Sequence, residues 1–93
     1  MSPSSHDQAA AAHELRQLLL RHVPPSWRES DLTDDLPLGA EGLGLDSVAM
    51  VEFLIACEQR WHLAFPMSLL EQPVLTVGTL LEHLRNALGS RRG

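Results

Sequence analysis

The chain has 93 residues, 44% of them apolar, with seven Arg, no Lys and twelve acidic residues for a formal charge of −5. That length suits one compact domain spanning 1–93 and excludes two, while the negative charge argues against a nucleic-acid footprint. No apolar run approaches the roughly 18 residues of a membrane span, and the start lacks a basic, apolar leader, so the expectation is a soluble, monomeric, cytoplasmic protein.

In chain order, Ser5-His6-Asp7-Gln8 has the spacing of a capping box. A first helix should follow, with Leu15, Leu18, Leu19 and His22 recurring at three- and four-residue intervals. Pro24-Pro25 ends it. From Val23 to about Asp46 the chain reads as a long loop pinned to the core by Trp27, Leu32, Leu36, Leu38, Leu43 and Leu45. Such length signals either function or a short helix within it, around Pro25 to Ser30. The second helix should run from about Ser47 to Arg60, with Asp46 or Ser47 as its N-cap. A short helical turn is expected over Met67 to Glu71. Thr76 then caps a last helix whose face is Val77, Leu80, Leu81, Leu84 and Leu88, ending before Gly89. The ends, about 1–5 and 89–93, are expected to be mobile. No strand pattern occurs, so the fold class is all-α: three main helices, one short helix and a long first loop.

Projected at about 100° per residue, Met50, Phe53, Leu54, Cys57 and Trp61 share the core face of the second helix. Each buried member should contribute roughly 1.5 to 3 kcal/mol. Val48, Val51 and Ile55 fall on another side beside Glu52. That stripe is either a docking surface or packs beneath the loop or the short helix. Eight acids, Glu29, Asp31, Asp34, Asp35, Glu41, Asp46, Glu52 and Glu58, lie in a window without Lys or Arg. The negative field is therefore concentrated in the middle third, where it suits basic protein partners. Ser47 opens the second helix near the positive end of its dipole, where a phosphodiester is favoured by about 0.3 to 1 kcal/mol. By position alone a plain N-cap serine is the better reading.

The segment Gly42-Leu43-Gly44-Leu45-Asp46-Ser47-Val48-Ala49-Met50-Val51-Glu52-Phe53 resembles the phosphopantetheine attachment segment of acyl carrier proteins, whose pattern is Leu-Gly-x-Asp-Ser-Leu followed by an apolar residue and Glu. The agreement continues through Glu58, Trp61, Pro66 and Thr76-Val77-Gly78-Thr79-Leu80, covering roughly residues 10 to 88. The resemblance implies a four-helix acyl-carrier bundle without catalysis of its own. It implies that a phosphopantetheinyl transferase moves 4'-phosphopantetheine from coenzyme A onto Ser47, and that acyl groups ride on the arm as thioesters to enzymes with basic docking patches. By position, Asp46 corresponds to the acid that helps the transferase engage, and Val48, Val51, Glu52 and Ile55 to the recognition surface. Ala49 and Met50 replace residues that are usually acidic and polar in fatty-acid synthesis members, which points to polyketide or related specialised biosynthesis. Asp before Ser47 departs from the Gly-Gly-x-Ser-Leu type of peptidyl and aminoacyl carriers, an alternative along with an unmodified helical interaction domain.

Other readings fit less well. A hydrolase would place its serine in Gly-x-Ser-x-Gly within an α/β sheet, and the flanks here differ. The glycines over 39–44 are not in Gly-x-Gly-x-x-Gly order after a strand. The five histidines never pair at i, i+4, so no zinc site is expected. Cys57, the sole thiol, sits on the core face as a small hydrophobe.

Overall fold

In the computed structural model, which describes residues 5–90, three α-helices build the domain: α1 (Ser5–Leu20), α2 (Ser47–Trp61) and α3 (Val77–Ser90). Short 3₁₀ helices lie at Glu29–Asp31 and Met67–Glu71. The capping-box side chains of Ser5 to Gln8, and the expected mobile stretches over 1–4 and 91–93, lie outside the described residues. The all-α architecture, with a short helix before the last long one, agrees with the sequence reading. No strand forms among the described residues, which hold only an isolated antiparallel bridge between Pro37 and Thr76.

α1 ends at Leu20 in a tightened turn, as Arg21 N–H and His22 N–H donate to the Leu18 and Leu19 carbonyls. Arg60 near the end of α2 pairs with Glu14 of α1 at 2.7 Å. His22, just past α1, stacks edge-on against Phe53 with ring centroids 5.5 Å apart. The two helices are therefore antiparallel. Their shared core holds Leu15, Leu19, Phe53 and Cys57, all fully buried, joined by Val77, Leu80 and Leu84 of α3. Leu18 and Leu88 are only half-buried at its margin.

The helical piece expected near Pro25 to Ser30 sits later than foreseen. Trp27 N–H closes a turn onto the Pro24 carbonyl, Arg28 is extended, and only Glu29–Asp31 is helical. Pro25 has no N–H to donate, which delays the start. α1 grips this turn from one side. Glu29 accepts hydrogen bonds from His13 Nδ1 at 2.8 Å and Gln17 Nε2 at 2.6 Å, while Arg16 donates to the Leu32 carbonyl at 2.7 Å and pairs with Asp34 at 2.6 Å.

The rest of the first loop is laced to the C-terminal third. Leu38 N–H donates to the Leu75 carbonyl at 2.8 Å, Val77 N–H to Leu36 at 3.0 Å and Gly78 N–H to Asp34 at 2.7 Å. Those bonds satisfy the Leu38 amide and the Asp34 and Leu36 carbonyls, backbone groups that packing of this stretch onto the core through Leu32 and Leu38 would otherwise strand.

α2 stops at His62, whose left-handed φ of 54° breaks the ladder, so Pro66 only confirms an end already made. Glu58 Oε2 accepts from Phe65 N–H at 3.0 Å and carries the chain round. Thr76 caps α3 through its hydroxyl, which accepts from Thr79 N–H at 3.2 Å. α3 continues through Gly89 to Ser90, past the expected stop. One glycine costs a helix only about 1 kcal/mol relative to alanine, too little to end a ladder already formed.

Candidate functional site

The N-cap of α2 is Asp46: its carboxylate accepts from Ala49 N–H at 2.8 Å and its carbonyl from Met50 N–H at 2.9 Å. Capping is thus settled one residue before Ser47, whose exposed hydroxyl is spared that task. Among the described residues, Ser47 Oγ has no hydrogen-bond partner, so neither a His nor a carboxylate activates it. It stands at the first turn of α2, where unpaired N–H groups and the helix dipole favour an anion.

Beside Ser47 lies an open depression of about 390 Å³, lined by Leu45, Asp46, Ser47, Met50, Val51 and Leu70. Its floor corrects one expectation. Met50 was placed on the core face, yet it is only half-buried and leans on the core from outside. Phe53, Leu54, Cys57 and Trp61 fill that face as foreseen. Met50 lies three residues after Ser47, so helical spacing puts it near the serine but does not tell how far the core covers it. Leu70 arrives through the fold of Met67–Glu71, for which the local sequence carries no signal.

The outward stripe divides. Val48 is 67% and Ile55 46% exposed, whereas Val51 is half-buried where the depression meets α2. Glu52 is exposed. These four residues share one side of α2 with Ser47 at its head.

The acidic window is more structural than its charge suggested. Glu29, Asp31, Asp34, Asp35, Asp46 and Glu58 each accept a hydrogen bond within the chain. His13, then Gln17, lowers the Glu29 carboxyl from its ordinary value by bonding the charged form. Glu41 and Glu52 are left unengaged among the described residues, and of the engaged acids only Glu29 and Asp34 face a basic side chain, so the acids brace the fold while most of the negative field stays open to partners. Cys57 is fully buried, and desolvation, aided by the charge of Glu58, pushes its thiol up to about 12. It is an inert core residue.

The approach to Asp46 is a closed turn. Gly42 N–H and Gly44 N–H both donate to the Gly39 carbonyl, at 3.0 and 2.8 Å, and Gly44 takes a left-handed φ of 82° that favours glycine. Leu43 N–H reaches the Pro37 carbonyl at 3.0 Å and Leu45 N–H the Leu38 carbonyl at 2.9 Å.

Residues 27–84 match the family described as the phosphopantetheine attachment site. The chain belongs to that family of carrier proteins. It is 32% identical over 96 residues to an acyl carrier protein of Streptomyces coelicolor, an alignment covering 98% of this chain and 96% of that protein. It is also 47% identical over 51 residues to the lincomycin biosynthesis protein LmbN of Streptomyces lincolnensis, covering 55% of this chain but only 18% of that longer protein. An acyl carrier protein bearing covalent 4'-phosphopantetheine is what these likenesses show, and they leave the unmodified interaction domain without support. The carrier's partners are accordingly a phosphopantetheinyl transferase and biosynthetic enzymes. No helix among its described residues is long and apolar enough to cross a membrane.

Proposed function

We propose that Ser47 is the attachment residue, and that this chain is a monomeric cytoplasmic domain, 1–93, that carries acyl groups in polyketide or related specialised biosynthesis without catalysis of its own. The observation that carries the assignment is the division of labour at the head of α2. Asp46 takes the capping bond, so Ser47 offers an exposed, unengaged hydroxyl at the positive end of a helix. Ser47 also lies within the matched segment.

The arm supplies a terminal thiol for the acyl thioester; the protein supplies its place. Asp46 keeps the first turn of α2 rigid and presents its second oxygen to the transferase. Val48, Val51, Glu52 and Ile55 form the docking face: two exposed apolar side chains give contact area and Glu52 gives steering. The depression floored by Met50 and Leu70 can receive the first atoms beyond Ser47. Specialised biosynthesis is supported by Ala49 and Met50, which leave α2 less acidic than a fatty-acid carrier's, and by the likeness to a lincomycin biosynthesis protein.

Incubation with coenzyme A and a promiscuous phosphopantetheinyl transferase, followed by intact-protein mass spectrometry, tests the reading. The native chain gains one phosphopantetheine and Ser47→Ala stays folded and gains none. Loading of Ser47→Ala, or an arm mapped to Ser26, Ser30 or Ser68, refutes it.

A further inference from the structure

Gly42 sits where no side chain fits. A Cβ built there would come within 2.1 Å of the Pro37 carbonyl oxygen and 3.0 Å of its carbonyl carbon, both backbone atoms that cannot swing aside. The same oxygen accepts the Leu43 N–H at 3.0 Å. Closure of residues 37–45 onto themselves therefore depends on the bare backbone at Gly42. Three residues further on, Leu45 N–H is tied to Leu38, which is itself tied to Leu75. Asp46 and Ser47 follow directly. Neighbouring Gly39 differs: a Cβ there meets nothing within 4 Å, and its φ is not left-handed.

We infer that Gly42 is a positioning residue for loading: its contact with the Pro37 carbonyl closes the 37–45 turn and thereby aims the Asp46 cap and the Ser47 hydroxyl at the transferase. The inference rests on Ser47 as the attachment residue. Gly42 touches neither coenzyme A nor the reacting oxygen and acts through the turn alone. Because Val51, Glu52 and Ile55 lie further along α2, pushing the turn open displaces the hydroxyl while leaving most of the docking face in place. The two parts of the encounter should separate in the kinetics.

The test measures transferase kinetics with the full chain as varied substrate and coenzyme A saturating, well below the thermal midpoint, with rates normalised to the folded fraction from far-UV circular dichroism. Gly42→Ala should lower kcat about tenfold or more, as sub-ångström to ångström misplacement of a reacting group does, while KM stays within about twofold. Gly39→Ala should match the native chain in both. A Gly42→Ala protein whose normalised kcat is native, or whose kcat and KM change only with the folded fraction, overturns the inference. Where Gly42→Ala does not fold, Pro37→Gly carries the test, because it keeps the carbonyl but frees its backbone. It should lower kcat about threefold, and an unchanged kcat overturns the inference as well. Absence of loading at Ser47 in the native chain is a different failure, that of the attachment reading.

Discussion

Truncating α2 side chains one at a time should split the helix into a face that holds the fold and a face that holds partners. Phe53 has no exposed surface, so Phe53→Ala should cost about 3 to 5 kcal/mol, a loss that leaves a small domain barely folded. Ile55 is 46% exposed. Its alanine variant removes three carbons worth about 0.8 kcal/mol each if fully buried. With half that burial present and an open site that leaves no cavity, about 1 kcal/mol is lost, or roughly 4 to 8 °C in a domain of this size. Val48, 67% exposed, should lose only about 0.5 kcal/mol by the same reckoning. Thermal unfolding by far-UV circular dichroism measures these losses. On the same proteins, surface plasmon resonance against the transferase should show dissociation about tenfold faster for Ile55→Ala and Val48→Ala, since lost contact area acts on the off-rate. Ile55→Ala as destabilising as Phe53→Ala would place the stripe in the core. Native dissociation in both exposed-stripe variants would remove it as a docking face.

Three further outcomes are expected. Glu52→Lys should slow association with a basic partner and flatten its salt dependence, with dissociation little changed, which stopped-flow binding at several ionic strengths checks. Glu29 is held below its ordinary value by His13 and Gln17, so its stabilisation is present above the unfolded value and is lost as pH falls through the depressed one. The gap in thermal midpoint between the native chain and Glu29→Gln should therefore be present above the ordinary value of 4.5 and narrow as pH falls below it. The Cys57 thiol is raised, giving the opposite sign: stabilisation is intact below its ordinary value of 9.0 and declines as pH climbs toward 12. The unfolding free energy from urea titration should fall from about pH 9 upward at a slope near 1.4 kcal/mol per unit, a decline absent in Cys57→Ala.

The helices were readable because their apolar spacing is a local property. Leu15 and Leu19 in α1, Phe53, Leu54 and Cys57 in α2, and Val77, Leu80, Leu81 and Leu84 in α3 each declare a buried face within a few turns. Asp-Ser at the start of α2 was legible for a similar reason, though local sequence could not decide which of the two caps the helix. Only the distance from the Asp46 carboxylate to Ala49 N–H does that. The long loop was legible as pinned but not as laced. Nothing near Leu38 announces that its amide belongs to Leu75, a partner 37 residues away. The acidic window misled in one respect, because charge counts do not reveal that Glu29 and Asp34 are spent on α1. Met50 was misplaced because a helical projection assigns a face without knowing how far the neighbouring elements reach. Above Met50 they stop short.

The lacing between the first loop and the start of α3 also bears on synthesis. A nascent chain that has emerged only as far as α2 contains Asp46 and Ser47 but lacks the Leu75 carbonyl and the Val77 amide that hold residues 36–38. The turn behind Ser47 has no outer anchor until those residues leave the ribosome. If Ser47 carries the arm, a chain broken off before Leu75 would display that serine on an untethered stalk, and a transferase that demands the aimed hydroxyl would pass over such fragments.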